Sequence, residues 1–301
     1  GENCRNSGNQ AAGKSISTGI TIRQAQSSPG GYYDNRPPNT TSAADNSQSM
    51  IFRNNDGVEW SVFSSWKDAP KLFHAFSTRK GGISEGNFSA LNLGYSTSDE
   101  TENVEENRSR FFQATNIPPG QTVMALQVHG TNVAVVDSPG IIEDCDGLLT
   151  RQNNLYLIIG VADCHTIFLT DKSRSFVGAL HSGWRGTAGN ILRTAAEKLR
   201  SNFGMKNNEL EIGISPAIGG CCYEVGGEVA EQFSASFVDQ RDGSFYLSLD
   251  KAIAAQAREI EVPEENIYLA ERCTSSEYEY WFSYRRDNGN TGRMWGVIEL
   301  R

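Results

Sequence analysis

Residues 155–200 read LYLIIGVADCHTIFLTDKSRSFVGALHSGWRGTAGNILRTAAEKLR. The run Leu155–Asp163 is almost continuously apolar, the pattern of a strand covered on both faces. TIFLTD and SFVGALH follow as two further buried strands. A Gly-flanked Trp184-Arg185 pair then gives way to a helical stripe of Ile191, Leu192, Ala195, Ala196, Leu199 and Phe203, with Gly204 as its stop. Buried strands feeding an amphipathic helix predict an α/β domain.

The same alternation extends outward. Upstream, Val58–Phe63 and Leu72–Ser77 read as strands, and the Gly81-Gly82 pair of RKGGISEGN marks a turn. SDETENVEENRSRFFQAT opens acidic and turns apolar, as a capped helix does. QTVMALQV and NVAVVD read as strands flanking His129-Gly130. Downstream, ELEIGISP and NIYLA read as strands, and VGGEVAEQFSASF and SLDKAIAAQAREI as helices. No internal repeat or Pro/Ser-rich linker interrupts residues 50–301, so one domain is expected there. Residues 1–49 carry few large apolar side chains among Ser, Asn, Gln, Gly and Thr, and the first Met is Met50. They are expected to be a disordered extension or tag.

A net charge of −9 argues against a nucleic-acid binder, which needs a basic surface. No apolar run is long enough to span a membrane. The six cysteines lack the spacing of a disulfide scaffold, so a reduced, cytoplasmic protein is expected.

The chain has four histidines: His74, His129, His165 and His181. His129 ends ALQVHG, Cys164 and His165 end GVADCH, and His181 ends VGALH, each at a predicted strand end where α/β sheets build sites. Two imidazoles and one thiolate are ligands zinc prefers, and they leave a further position open to water or substrate. Zinc so held lowers the pKa of water toward neutrality. The separations, 35 and 17 residues, match no short metal motif, and each residue alone also fits a structural role. A nucleophilic use stays open, with Cys164 as thiolate and His181 or His165 as its base.

Arg185 sits near a helix start, Arg79 beside a glycine loop, and Arg108 and Arg110 in EENRSR beside Glu105 and Glu106. Any of these guanidiniums can clamp a phosphate, although surface ion pairing with the glutamates is the plainer use of Arg108 and Arg110. Trp184 reads as a cleft-wall aromatic. Asp163, next to Cys164, either supports that ligand or caps the strand-end turn. SPAIGGCCYEVGGEV lacks the spacing of a nucleotide loop and reads as a tight turn with two inert buried cysteines. SYRRDNGNTGR reads as a solvated basic loop.

In order and spacing, STRKGGIS, ALNLG, VEENR, LQVHG, DCDGLLT, VADCHTIFLTD, ALHSGWRGTAGNI, GISPAIGGCCYEVG, CT and FSYRRDNGNTGR resemble one family over about residues 58–296. It is the laccase-domain family, once described as multicopper polyphenol oxidases and now understood as zinc-dependent purine nucleoside enzymes. The resemblance implies a three-layer α/β fold with a mixed central sheet. It implies phosphorolysis of adenosine, inosine, guanosine and methylthioadenosine to base and pentose 1-phosphate, with adenosine deamination beside it. It places one zinc on His129, Cys164 and His181, and makes Arg108 a residue needed for activity. A copper phenol oxidase needs a histidine-rich trinuclear centre, which four histidines cannot supply. The family usually continues ADC with an apolar residue and Pro, whereas this chain has His165-Thr166. Side chains alternate along a strand, so with Cys164 facing the site His165 is expected to face away.

Overall fold

The computed structural model describes residues 49–301. The expectation for residues 1–49 lies outside them, Ser49 apart. The described residues fall within one compact unit, Asp45–Arg301.

The apolar run at residue 155 becomes an inner strand of a seven-stranded sheet. Its order is β1 (Met50–Asn55), β2 (Val58–Phe63), β3 (Leu72–Ser77), β16 (Met294–Leu300), β8 (Tyr156–Val161), β4 (Thr122–Ala125) and β6 (Gly140–Ile142). Pairing is antiparallel from β1 to β8 and parallel from β8 through β4 to β6. A six-stranded sheet runs β15 (Ile267–Leu269), β11 (Leu210–Ile214), β9 (His165–Asp171), β10 (Val177–Ser182), β7 (Gly147–Thr150) and β5 (Val133–Val135). It too is mixed, with parallel pairs at its two edges. A small antiparallel sheet of β12 (Glu224–Val225), β14 (Ser244–Leu247) and β13 (Val238–Arg241) stands apart from both.

Side-chain alternation explains the layering. Leu157 and Ile159 of β8 pack inward with Phe63 and Phe76 against Phe168, Val177 and Ala179 of the second sheet. Ile158, between them, points to the opposite face and packs with Trp295 and Val297 against Phe111 and Ala114 of α1 (Thr101–Thr115). On the far side, Ile167, Leu169 and Leu180 pack against α3 (Ile191–Phe203) and α5 (Leu249–Glu259) through Leu192, Ala195, Leu199, Ile253 and Ala257. The α/β class is therefore as the sequence pattern suggests, and the mixed pairing is as the family resemblance implies. The β layer between the helices is two sheets thick, because β8, β9 and β10 are apolar on both faces and each sheet covers the other.

One of the predicted helices is as expected and another is cut short. The stripe from Ile191 to Phe203 is one helix, α3, capped by Asn190 (φ 58°), which accepts from Arg193 N, and stopped at Gly204 as expected; a separate short helix, α2 (Trp184–Ala188), precedes it. Of VGGEVAEQFSASF only α4 (Gly227–Ala230) is α-helical. Val229, Phe233 and Phe237 instead cluster around Leu247 and Leu249 over the small sheet.

The topology gathers three strand ends. The chain leaves β8 in the first sheet and enters β9 in the second through Ala162-Asp163-Cys164. β10 runs antiparallel to β9, so His181 and Ser182 return beside that crossover. β4 runs parallel to β8, so Leu126–Gly130 leave the first sheet at the same end.

Candidate functional site

At that shared end the donor atoms of His129, Cys164 and His181 all lie within 4.8 Å of one another. The two imidazoles meet edge to face, with ring centroids 4.8 Å apart. His181 is buried, Cys164 half-buried and His129 exposed, so the group opens to solvent on one side. His129 holds its position with a left-handed backbone (φ 61°).

That conformation has a specific cause. The fully buried Asp146 carboxylate accepts from the backbone N–H of Val128 (3.2 Å), His129 (2.9 Å) and Gly130 (2.7 Å). Asp146 Oδ1 also accepts from His181 Nδ1 at 2.7 Å, and the Asp146 carbonyl accepts from His181 N at 2.6 Å. One carboxylate thus fixes the His129 loop and leaves Nε2 as the free nitrogen of His181, the arrangement that orients imidazole ligands at metal sites. Burial works against its charge, but His181 and the Gly130 N–H outweigh it and hold the carboxyl below the usual range.

Charge within the group is strongly coupled. Burial alone would push the Cys164 thiol up, yet His181 and His129 bring it down to about 6. Burial would likewise lower His181, but the Cys164 sulfur and Asp146 raise it to about 9. Each group thus favours the charged form of the other, a thiolate beside an imidazolium. Gly183 permits the approach, because a Cβ there would stand 2.7 Å from Cys164 Sγ and 3.8 Å from His129 Cδ2.

His165 turns away, as strand alternation requires. Its Nδ1 lies 2.8 Å from the Ser215 carbonyl, and its Nε2 has no protein partner. It borders a cavity of about 20 Å³ shared with Ser215 and Asp250, room for about one water. Asp163 corrects an expectation. Its carboxylate accepts from Thr274 Oγ1 (2.6 Å), Ser283 Oγ (3.0 Å) and Arg285 N (2.7 Å), so it ties the C-terminal loop to the crossover rather than supporting a donor side chain. Asp146 supplies that support. Its only sequence signal is DCDGLLT, where an aspartate precedes an apolar strand.

The arginines separate by role. Arg110, not Arg108, pairs with Glu106 at 2.7 Å. Arg108 is half-buried, donates through Nε to the Leu93 carbonyl (2.8 Å), and lies 3.7 Å from the Tyr95 ring centroid and 4.7 Å from that of Trp295. Burial lowers its pKa, against the pull of Tyr95. Arg79 spends Nε on the Ser89 carbonyl (2.6 Å) and Nη1 on that of Tyr278 (3.3 Å). Arg185 is exposed and stacked 4.3 Å from the Trp184 ring centroid.

The loop SYRRDNGNTGR, expected to be solvated, carries two residues that sequence reasoning missed. Arg285 is anchored on Asp163 through its backbone and lies 5.2 Å from the Tyr223 ring centroid. Arg293 is held down by burial, while Tyr284, Cys164 and Asp163 pull it upward. It also backs the Arg108 loop, since its carbonyl accepts from Leu93 N at 3.0 Å. Tyr223, pushed up to about 12 by burial and by Cys164, completes the wall.

A family described as multi-copper polyphenol oxidoreductase laccase matches residues 73–301. A purine nucleoside phosphorylase of Deinococcus radiodurans is 39% identical over 238 residues, spanning 77% of this chain and 91% of that protein. The purine nucleoside phosphorylase YfiH of Escherichia coli (strain K12) is 34% identical over 246 residues, spanning 79% and 98%. The crystal structure of YlmD from Geobacillus stearothermophilus aligns with a TM-score of 0.78 at 31% identity, covering 84% of this chain and 99% of that one. The matched span, these identities and the common fold make this chain a member of the multi-copper polyphenol oxidoreductase laccase family.

Proposed function

We propose that this protein is a zinc-dependent purine nucleoside phosphorylase that also deaminates adenosine. The convergence of His129, Cys164 and His181 on one point, with Asp146 orienting His181, is the observation that carries the reading. It is supported by relatives named purine nucleoside phosphorylase in Deinococcus radiodurans and Escherichia coli. Two imidazoles and a sulfur drawn toward thiolate fit zinc, and a set of three leaves a position open. Bound there, zinc supplies Lewis acidity and acidifies water.

The chain's own residues account for the rest. Asp146 keeps a proton on His181 Nδ1 and so reserves Nε2 for the ion. Phosphorolysis forms a bond from a phosphate oxygen to C1′ as the bond from C1′ to the purine breaks. Arg108, stacked against Tyr95 and Trp295, is the guanidinium assigned to phosphate, with Arg185 beside the Trp184 wall. Arg79 is given a smaller part, since two of its donors already serve backbone carbonyls. The assigned substrates are adenosine, inosine, guanosine and methylthioadenosine. We also propose residues 50–301 as the functional domain.

One experiment tests the reading. The protein is incubated with adenosine, with and without phosphate, and adenine, inosine and hypoxanthine are quantified beside a metal analysis. Phosphate-dependent adenine release with zinc on the His129–Cys164–His181 set is the expected result; bound zinc without turnover would overturn it. A cysteine hydrolase is the second reading, and the Cys164–His181 thiolate–imidazolium pair favours it. It predicts activity that survives chelation and is lost on thiol alkylation.

A further inference from the structure

A second group of sulfurs lies outside this site. Cys221 and Cys222, in the turn GGCCY, meet Cys273 from a remote segment, and the three Sγ atoms all lie within 4.8 Å of one another. Cys221 Sγ is 3.5 Å from Cys222 Sγ. All three are free thiols, with Cys221 exposed and the other two half-buried. The sequence reading of inert buried cysteines is thereby corrected, because the turn presents Cys221 outward.

The surroundings are arranged for sulfur. The Gly219 backbone N–H donates to Cys273 Sγ at 3.3 Å, a bond that favours thiolate. Gly219 lies directly against the group: a Cβ there would be in ordinary van der Waals contact, 3.4 Å from Cys221 Sγ and 3.4 Å from Cys273 Cβ. Two backbone bonds, Ala217 N to the Arg272 carbonyl (3.3 Å) and Thr274 N to the Ala217 carbonyl (2.9 Å), already hold the two segments side by side. Three thiols at one point cannot all pair as disulfides, whereas one cation can take all three.

We propose that Cys221, Cys222 and Cys273 form a second metal site that takes one thiophilic d10 cation of the zinc class. Each ligand gives up its thiol proton on binding, and a donor set of sulfur alone, without imidazole or carboxylate, selects soft ions. The ion clips the Gly219–Tyr223 turn to the Arg272–Thr274 segment. It thereby steadies Tyr223 and the Thr274 contact with Asp163, both at the wall of the first site. The inference is independent of the proposed activity.

Cadmium(II) tests it, because each thiolate bound to cadmium adds ultraviolet charge-transfer absorbance. Metal-stripped wild type is expected to retain two ions per chain through gel filtration. Cys164→Ser should keep the cluster ion and about three-quarters of the absorbance, since three of the four sulfurs in the two groups remain. Cys273→Ser and Cys222→Ser should each lose the cluster ion and most of that absorbance while keeping the wild-type circular dichroism. Retention of two ions by both variants would overturn the site. So would a native mass lower by two hydrogens, with a cystine at these residues and no cation taken up. Where a variant fails to fold, iodoacetamide labelling of wild-type Cys221 decides: cadmium should slow it at least tenfold, and unchanged labelling counts against the proposal.

Discussion

Asp146 is the residue on which the candidate site depends most. It is fully buried, makes one bond to His181 Nδ1 and receives three from the His129 loop, so it controls two donors at once. Asp146→Asn keeps the shape and an acceptor oxygen but loses the charge that holds the His181 proton. Zinc affinity should fall roughly 10–100-fold, the usual cost of removing a group that orients a ligand. Competition against a chromophoric chelator measures it, and unchanged affinity would remove Asp146 from the site. Arg108 makes a different prediction. If it holds phosphate, Arg108→Ala should lower phosphate-dependent base release by roughly 100-fold or more while leaving adenosine deamination nearly intact. Arg108→Lys should restore little, because an ammonium lacks the planar fork and the stacking on Tyr95 and Trp295. Equal loss of both activities would point instead to a collapsed Leu93–Tyr95 loop.

At the scale of elements, the two sheets approach closely where side chains are smallest. Gly296 of β16 faces Thr166 of β9, and a Cβ there would lie 2.6 Å from Thr166 Oγ1 and Cγ2. Gly296→Ala should therefore cost about 1–3 kcal/mol in urea unfolding, the range for overpacking a core, without altering metal affinity. Gly183→Ala should show the opposite pattern, weakening metal binding through contact with Cys164 Sγ and costing little stability. The same scale shows what the sequence could convey. β8, β9, β10, α1 and α5 were legible because each carries its own periodicity and stop signals. The strand β16 was not read, although MWGVIEL is buried throughout, because nothing local distinguishes an inner strand from a buried helix segment. The helix expected after Val225 ended at Ala230 because Phe233 and Phe237 serve the small sheet's cluster rather than a helical stripe. The donors His129, Cys164 and His181 were legible as strand-end residues and through the family resemblance. Asp146 was not, since only the fold brings DCDGLLT beneath LQVHG. Arg293 was not, since a basic glycine-rich loop resembles a solvated one until its packing is known.

For the whole molecule, two buried groups away from the site oppose each other across the pH range. His74 is held neutral: its Nε2 accepts from Phe63 N at 2.8 Å, and burial, with Arg174 beside it, lowers its pKa to about 3. Because the unfolded chain takes up that proton first, this contribution is intact above the unfolded value near 6.5 and is lost as pH falls toward 3. Glu299 on β16 has the reverse sign. It is fully buried, its Oε2 has no hydrogen-bond partner, and burial raises its pKa to about 7, against the pull of Arg301. Its folded value lies above its unfolded value, so its contribution is complete below about 4.5 and is lost as pH rises through 7. No helix among the described residues is long and apolar enough to cross a membrane. Glu299→Gln replaces the ionising carboxyl with a neutral group of the same shape. Urea midpoints of variant and wild type should therefore be close at pH 5, where Glu299 is already protonated in the fold. At pH 8 the variant should be the more stable, because the wild type must then either bury a carboxylate or hold a proton the solvent would take. A midpoint difference that stays constant from pH 5 to pH 8 would mean that Glu299 does not change its charge on folding.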